Sequence, residues 1–114
     1  MFQDLKYEEL IEKRAAGEIS LIDVRSPSEH AEATIPGSFN VPLFDDAERA
    51  EIGTLYKQVS VQAAKDRGLE IVSAKLPAFV RSFADIPGKK AVFCWRGGMR
   101  SKTTATVLSL MGVH

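Results

Sequence analysis

Apolar residues along this chain change period several times, and each change predicts an element. In "DLKYEELIEKRAAGE", Leu5, Leu10 and Ile11 fall near helical spacing. Asp4 is the expected N-cap and Gly17 the expected stop of a first helix. Residues 20–25, "SLIDVR", form a short apolar run ending in charge, which suits a buried parallel strand. Ser26 before Pro27 reads as an N-cap followed by the first helical position, so a short helix should begin at once. "IPGSFNVPL" predicts a turn at Pro36-Gly37, a very short strand over 38–41 and another turn, with Pro42 disfavouring a long central strand.

Residues 45–84 read as mostly helical. Asp45 or Asp46 caps a first short segment, which Gly53 and Gly68 are expected to interrupt. A longer amphipathic stretch runs from about Ser60 to Phe83, with Gly68 and Pro77 expected to bend or divide it. "PGKK" is a turn, and residues 91–95, "AVFCW", predict a second buried strand. "RSKTTATVLSLMG" predicts a last helix with Val107, Leu108 and Met111 apolar and Gly112 at its end. Strands alternating with helices imply an α/β fold with a parallel sheet. A further strand would naturally follow the last helix, so the natural protein is expected to continue beyond His114.

Composition narrows the functional classes. The 114 residues suffice for one domain spanning residues 1–114, with no repeat or linker. Fifteen basic and fifteen acidic residues cancel, so nucleic-acid binding would need a local patch. No apolar run reaches membrane-span length, and "MFQDLKYEEL" lacks a signal-peptide core. The single cysteine, Cys94, cannot form an internal disulfide, which makes a reducing, cytoplasmic setting the default. With only His30 and His114 besides it, a structural zinc site is not expected.

Chemistry concentrates in residues 92–101, "VFCWRGGMRS". Cys94 falls at the carboxyl end of the second strand, where parallel sheets bind ligands. Gly97 and Gly98 permit a tight turn whose N–H groups can converge on an anion. The next helix starts near Met99 to Ser101 and adds its positive dipole end. Such a field favours the nucleophilic thiolate, and Arg96 and Arg100 can grip an oxyanion. A lone cysteine is often just a small core residue, but strand end, glycine loop, two arginines and helix start together favour a nucleophile at an anion-binding loop. The loop lacks the Gly-Lys-Ser/Thr ending of a nucleotide P-loop.

Two sets of residues resemble a known family. "IDVRSPSEHAEATIPGSFNVPL" followed by a strand-end cysteine loop resembles a rhodanese domain: Asp23, Arg25, Glu29, Ile35, Pro36, Gly37, Asn40 and Pro42 match its pattern. Ala33, Thr34 and Ser38 depart from the usual Gly, His and Ala, in a turn away from the cysteine. More closely, "DDAERAEIGTLYKQ" and "CWRGGMRS" resemble the N-terminal rhodanese domain of bacterial tRNA 2-selenouridine synthases, a family with a P-loop-containing domain that has no counterpart here.

The resemblance implies a transferase that replaces sulfur by selenium in the wobble 2-thiouridine of tRNA. Selenophosphate is the donor, the route passes through an S-geranylated intermediate, and no metal or other cofactor is implied. Cys94 takes the place of the catalytic residue, as thiolate and perselenide or persulfide carrier, with Trp95, Arg96, Gly97, Gly98, Met99, Arg100 and Ser101 as the anion-binding loop. Asp23 and Arg25 are read chiefly as an ion pair bracing the strand end. Trp95 either stacks on a substrate or packs. Tyr56 and Lys57 form either a family-specific surface or a solvated helix face. Lys89, Lys90, Arg96, Arg100 and Lys102 are candidates for a basic rim facing tRNA phosphates.

Five residues separate Cys94 from Arg100, one more than in common rhodaneses. That spacing suits a tetrahedral phosphate and keeps two alternatives open: a rhodanese-like cysteine phosphatase and a stand-alone thiosulfate-type sulfurtransferase. Phe93, where a phosphatase usually has histidine, argues against the first. Retention of Cys94 argues against a silent binding module. The family sheet places a further strand inside the sheet after the cysteine-loop helix. The chain is therefore expected to be a fragment lacking that strand, with chain continuing beyond His114 or a strand-swapped homodimer.

Overall fold

The computed structural model describes residues 6–94 and 99–113. Helix α1 (Tyr7–Ala15) follows Lys6, with Glu8 and Glu9 in its first turn and Lys13 and Arg14 in its last, a charge order that suits the helix dipole. The expected cap Asp4 lies outside the described residues. The helix stops where Gly17 takes a φ of 76°, a left-handed conformation that glycine adopts without strain. Strand β1 (Ile19–Asp23) leads through Ser26 into α2 (Pro27–Glu32), and the short β2 (Phe39–Asn40) follows.

Helix α3 (Asp46–Gln58) is capped by Asp45, whose carboxylate accepts from Glu48 N while the Glu48 side chain accepts from Asp45 N. Helix α4 (Val61–Ala84) begins at Ser60, whose hydroxyl accepts from Ala63 N. The expected breaks at Gly53 and Gly68 do not occur, and the two helices divide at Val59–Ser60, where the longer stretch was expected to begin. Packing overrides the propensity cost of a helical glycine, about 1 kcal/mol. At Gly68 a Cβ would lie 3.6 Å from the Phe44 ring, an ordinary packing distance, so glycine is not required there for α4 to pack against that ring. Nor does Pro77 divide α4. Its ring removes the N–H that would bond the carbonyl of Ser73, and both residues are exposed, so water can take that carbonyl.

Strand β3 (Lys89–Phe93) starts two residues earlier than the apolar pattern suggests, because ladder pairing uses the backbone whatever the side chain. Helix α5 (Met99–Leu110) follows. The described strands form one parallel sheet in the order β2-β1-β3, with Asp23 opposite both Asn40 and Phe93. This is the α/β architecture expected from the sequence, a parallel sheet flanked by helices.

Ile22 and Val24 of β1 and its extension pack with Leu43, Phe79 and Phe83 of α4, and Leu108 of α5. Phe79 and Phe83 meet edge to face at 5.1 Å. Beyond the strand, Val24 N donates to Phe93 O and Leu43 N donates to Val24 O, which fixes the loops at the carboxyl ends. Among the described residues no helix is long and apolar enough to cross a membrane.

Candidate active site

Parallel pairing brings the carboxyl ends of all three strands to one edge of the sheet. Asp23, Asn40 and Cys94 collect there. Cys94 is half-buried and packs against the central apolar cluster. Its Sγ lies 3.4 Å from Ser101 Oγ, within reach of a thiol–hydroxyl hydrogen bond. Met99, Arg100 and Ser101 form the first turn of α5, with Met99 exposed and the other two half-buried. Trp95, Arg96, Gly97 and Gly98, expected in the same anion-binding loop, lie outside the described residues.

Asp23 and Arg25 form an ion pair of 2.8 Å, and both side chains are almost wholly buried. Asp23 also accepts from Arg25 N, Arg25 Nε, Thr34 Oγ1 and, at 3.0 Å, His30 Nδ1. Burial opposes its ionisation, but the bonds from Arg25, His30 and Thr34 outweigh this and hold its pKa below the usual value. Arg25 reaches on to Ala33 O, and Asn40 donates to Asp23 O and Arg25 O at 3.0 Å each. The network ties β1, β2 and the segment after α2 together directly beneath the site edge.

Glu29 is the residue that the sequence reading left without a role. It reaches back to Ser26, accepting from its N–H at 3.1 Å and its hydroxyl at 3.0 Å. The same carboxylate takes Arg100 Nη1 at 2.7 Å and Nη2 at 3.4 Å, and Arg49 Nε at 3.3 Å. Arg100 is therefore anchored from α2, and its fork keeps further N–H donors for an incoming anion. Burial raises the Glu29 pKa, but Arg100 and Ser26 together bring it down to about 2.

A carboxylate depressed in this way adds stability above its unfolded value near 4.5 and loses it as the pH falls through about 2. Glu29→Gln is expected to lower stability at neutral pH by roughly 1–3 kcal/mol. The gap should close on acidification towards pH 2, as read by urea unfolding. An equal gap at both pH values would contradict this account of Glu29. The spacing Ser26 to Glu29 is that of a capping box, which was the available signal for this residue.

The proposed basic rim does not assemble as a whole. Lys89 and Lys90 pair with Ile19 and Ser20 at the start of β3, and Lys90 Nζ donates to Gly88 O. Five residue steps along the strand take Lys89 about 16 Å from Cys94, so these lysines lie at the opposite end of the sheet from Arg100. Among the described residues, no group of three or more His, Cys, Asp or Glu is placed to hold a metal.

The rhodanese-like domain family matches residues 6–114. The chain belongs to that family. Its sequence is 38% identical over 100 residues to the tRNA 2-selenouridine synthase of Bdellovibrio bacteriovorus, covering 84% of this chain and 26% of that protein. It is 34% identical over 113 residues to the tRNA 2-selenouridine synthase of Psychromonas ingrahamii, covering 96% of this chain and 31% of that protein. This rhodanese-like chain thus spans between a quarter and a third of the length of these curated relatives. A solved structure shares its fold: the N-terminal domain of a protein described as ATP/GTP-binding from Clostridium difficile 630. There the TM-score is 0.76 and the identity 34%, covering 84% of this chain and 77% of that one.

Proposed function

We propose that this domain serves a tRNA 2-selenouridine synthase, with Cys94 as the thiolate that takes up the chalcogen. One observation carries the reading. On a domain akin to the tRNA 2-selenouridine synthases, the only cysteine sits at the carboxyl end of β3, 3.4 Å from Ser101 Oγ and beside an anchored Arg100. The thiolate attacks the terminal selenium or sulfur of the donor. A bond forms from Cys94 Sγ to that atom. The bond to the donor's central atom breaks, and its electron pair leaves with phosphite from selenophosphate or sulfite from thiosulfate. The terminal atom stays on the cysteine as an anion, which Ser101 and the turn of α5 are placed to stabilise. Arg100 faces the anionic donor.

Offering the purified chain selenophosphate, thiosulfate and an aryl phosphate in parallel tests this. Uptake of selenium or sulfur by the protein is expected, with no turnover of the aryl phosphate. Hydrolysis of the aryl phosphate without chalcogen uptake would replace the reading with a phosphatase.

A further inference from the structure

A cleft of about 640 Å³ opens beside Arg100, along α3. That volume lies within the range of about 300–1,000 Å³ common for ligand sites. Arg49, Gly53, Tyr56 and Lys57 line it from one helix. Steps of four and three residues put them on one face of α3. Three cations, Arg49, Lys57 and Arg100, line it against one carboxylate, Asp46, which is already engaged by Ser28 N and Oγ. Glu29 sits between Arg49 and Arg100 and leaves Arg49 about half exposed. The Tyr56 side chain is exposed, at 59%.

Gly53 is the unexpected member. It lies inside the helix, where glycine is unfavourable, and its backbone has no positive φ. A Cβ there would meet nothing within 4 Å, so no packing neighbour requires its absence. The missing side chain leaves the wall of the cleft open.

We propose that this cleft receives an unpaired nucleotide of the acceptor RNA, with its base on the Tyr56 ring and its phosphate between Arg49 and Lys57. The strand then runs on towards Arg100 and Cys94. Unpaired bases offer the flat faces that aromatic side chains stack on, and the adjoining cations take the backbone. A small anion alone would make no use of an exposed ring. The inference rests on the tRNA reading above and supplies that reading with an acceptor site.

The test is fluorescence anisotropy of the chain with a short RNA hairpin bearing an unpaired loop, against a blunt duplex of matched length. The hairpin should bind better. Tyr56→Ala should weaken hairpin binding by roughly 5- to 150-fold, whereas Tyr7→Ala, an equally exposed tyrosine on α1 at 60%, should not. Lys57→Ala should reduce the salt dependence by about one charge. Gly53→Leu should block binding without lowering the thermal midpoint; if it does lower it, Tyr56→Ala decides. Failure of the wild-type chain to prefer the hairpin, or unchanged affinity in Tyr56→Ala, overturns the cleft. Selenium uptake by the wild-type sample separates the two readings. Uptake without hairpin binding removes the cleft alone, and hairpin binding without uptake removes the role of Cys94 alone.

Discussion

In an enzyme carrying this domain, Cys94→Ser is expected to cut selenium transfer to 2-thiouridine RNA by at least about a thousandfold. Serine nearly preserves the shape of the side chain. It can keep a hydrogen bond to Ser101 and its half-buried place against the apolar cluster. What it loses is the ionisable sulfur that bonds to selenium, so the effect should fall on chemistry and not on folding. The thermal midpoint should therefore stay within a few degrees of the wild type. Mass analysis of nucleosides from the treated tRNA reads the transfer. Retained transfer with a folded variant would remove Cys94 from the mechanism, whereas lost transfer with a collapsed midpoint would make Cys94 a packing residue.

The second large effect concerns stability. Asp23→Asn should cost about 3–5 kcal/mol at neutral pH, because it leaves the buried Arg25 guanidinium without its counter-charge. The amide also cannot accept from all the donors that now converge on the carboxylate. Because the folded-state pKa of Asp23 is depressed, its contribution is complete above the ordinary aspartate value and is lost as the pH falls through the folded one. The difference between wild type and variant should therefore shrink in acid. The double variant Asp23→Leu/Arg25→Met, which leaves no orphaned charge, should recover part of the loss. Urea unfolding at neutral and acidic pH measures both effects. A cost below about 1 kcal/mol at neutral pH would show that the pair does not hold the strand end.

Strand β3 before Cys94 and helix α5 after it were legible because their signals are local: an apolar run and a helix start lie close together in the sequence. The cap at Ser26 and the stop at Gly17 were legible for the same reason. The start of the second helix near Ser60 was legible, and the Ser60 bond to Ala63 marks that boundary. The breaks expected at Gly53 and Gly68 did not occur, because glycine's intrinsic penalty within a helix is weak and does not by itself end one. Glu29 was matched as a family position but given no role, because its decisive partner Arg100 is 71 residues away and no periodicity signals that meeting. Lys89 and Lys90 were grouped with Arg100 by proximity in sequence, yet a strand carries its two ends apart. Strand direction alone would have separated them.

The central claim is that Cys94 accepts the chalcogen. Intact-protein mass spectrometry after brief exposure of the purified chain to selenophosphate tests it most directly, with peptide mapping to place the adduct. One selenium atom per chain on Cys94, removed by excess thiol and absent from Cys94→Ser, is the predicted result. A folded wild-type chain that stays unmodified, or one modified equally after Cys94→Ser, would contradict it.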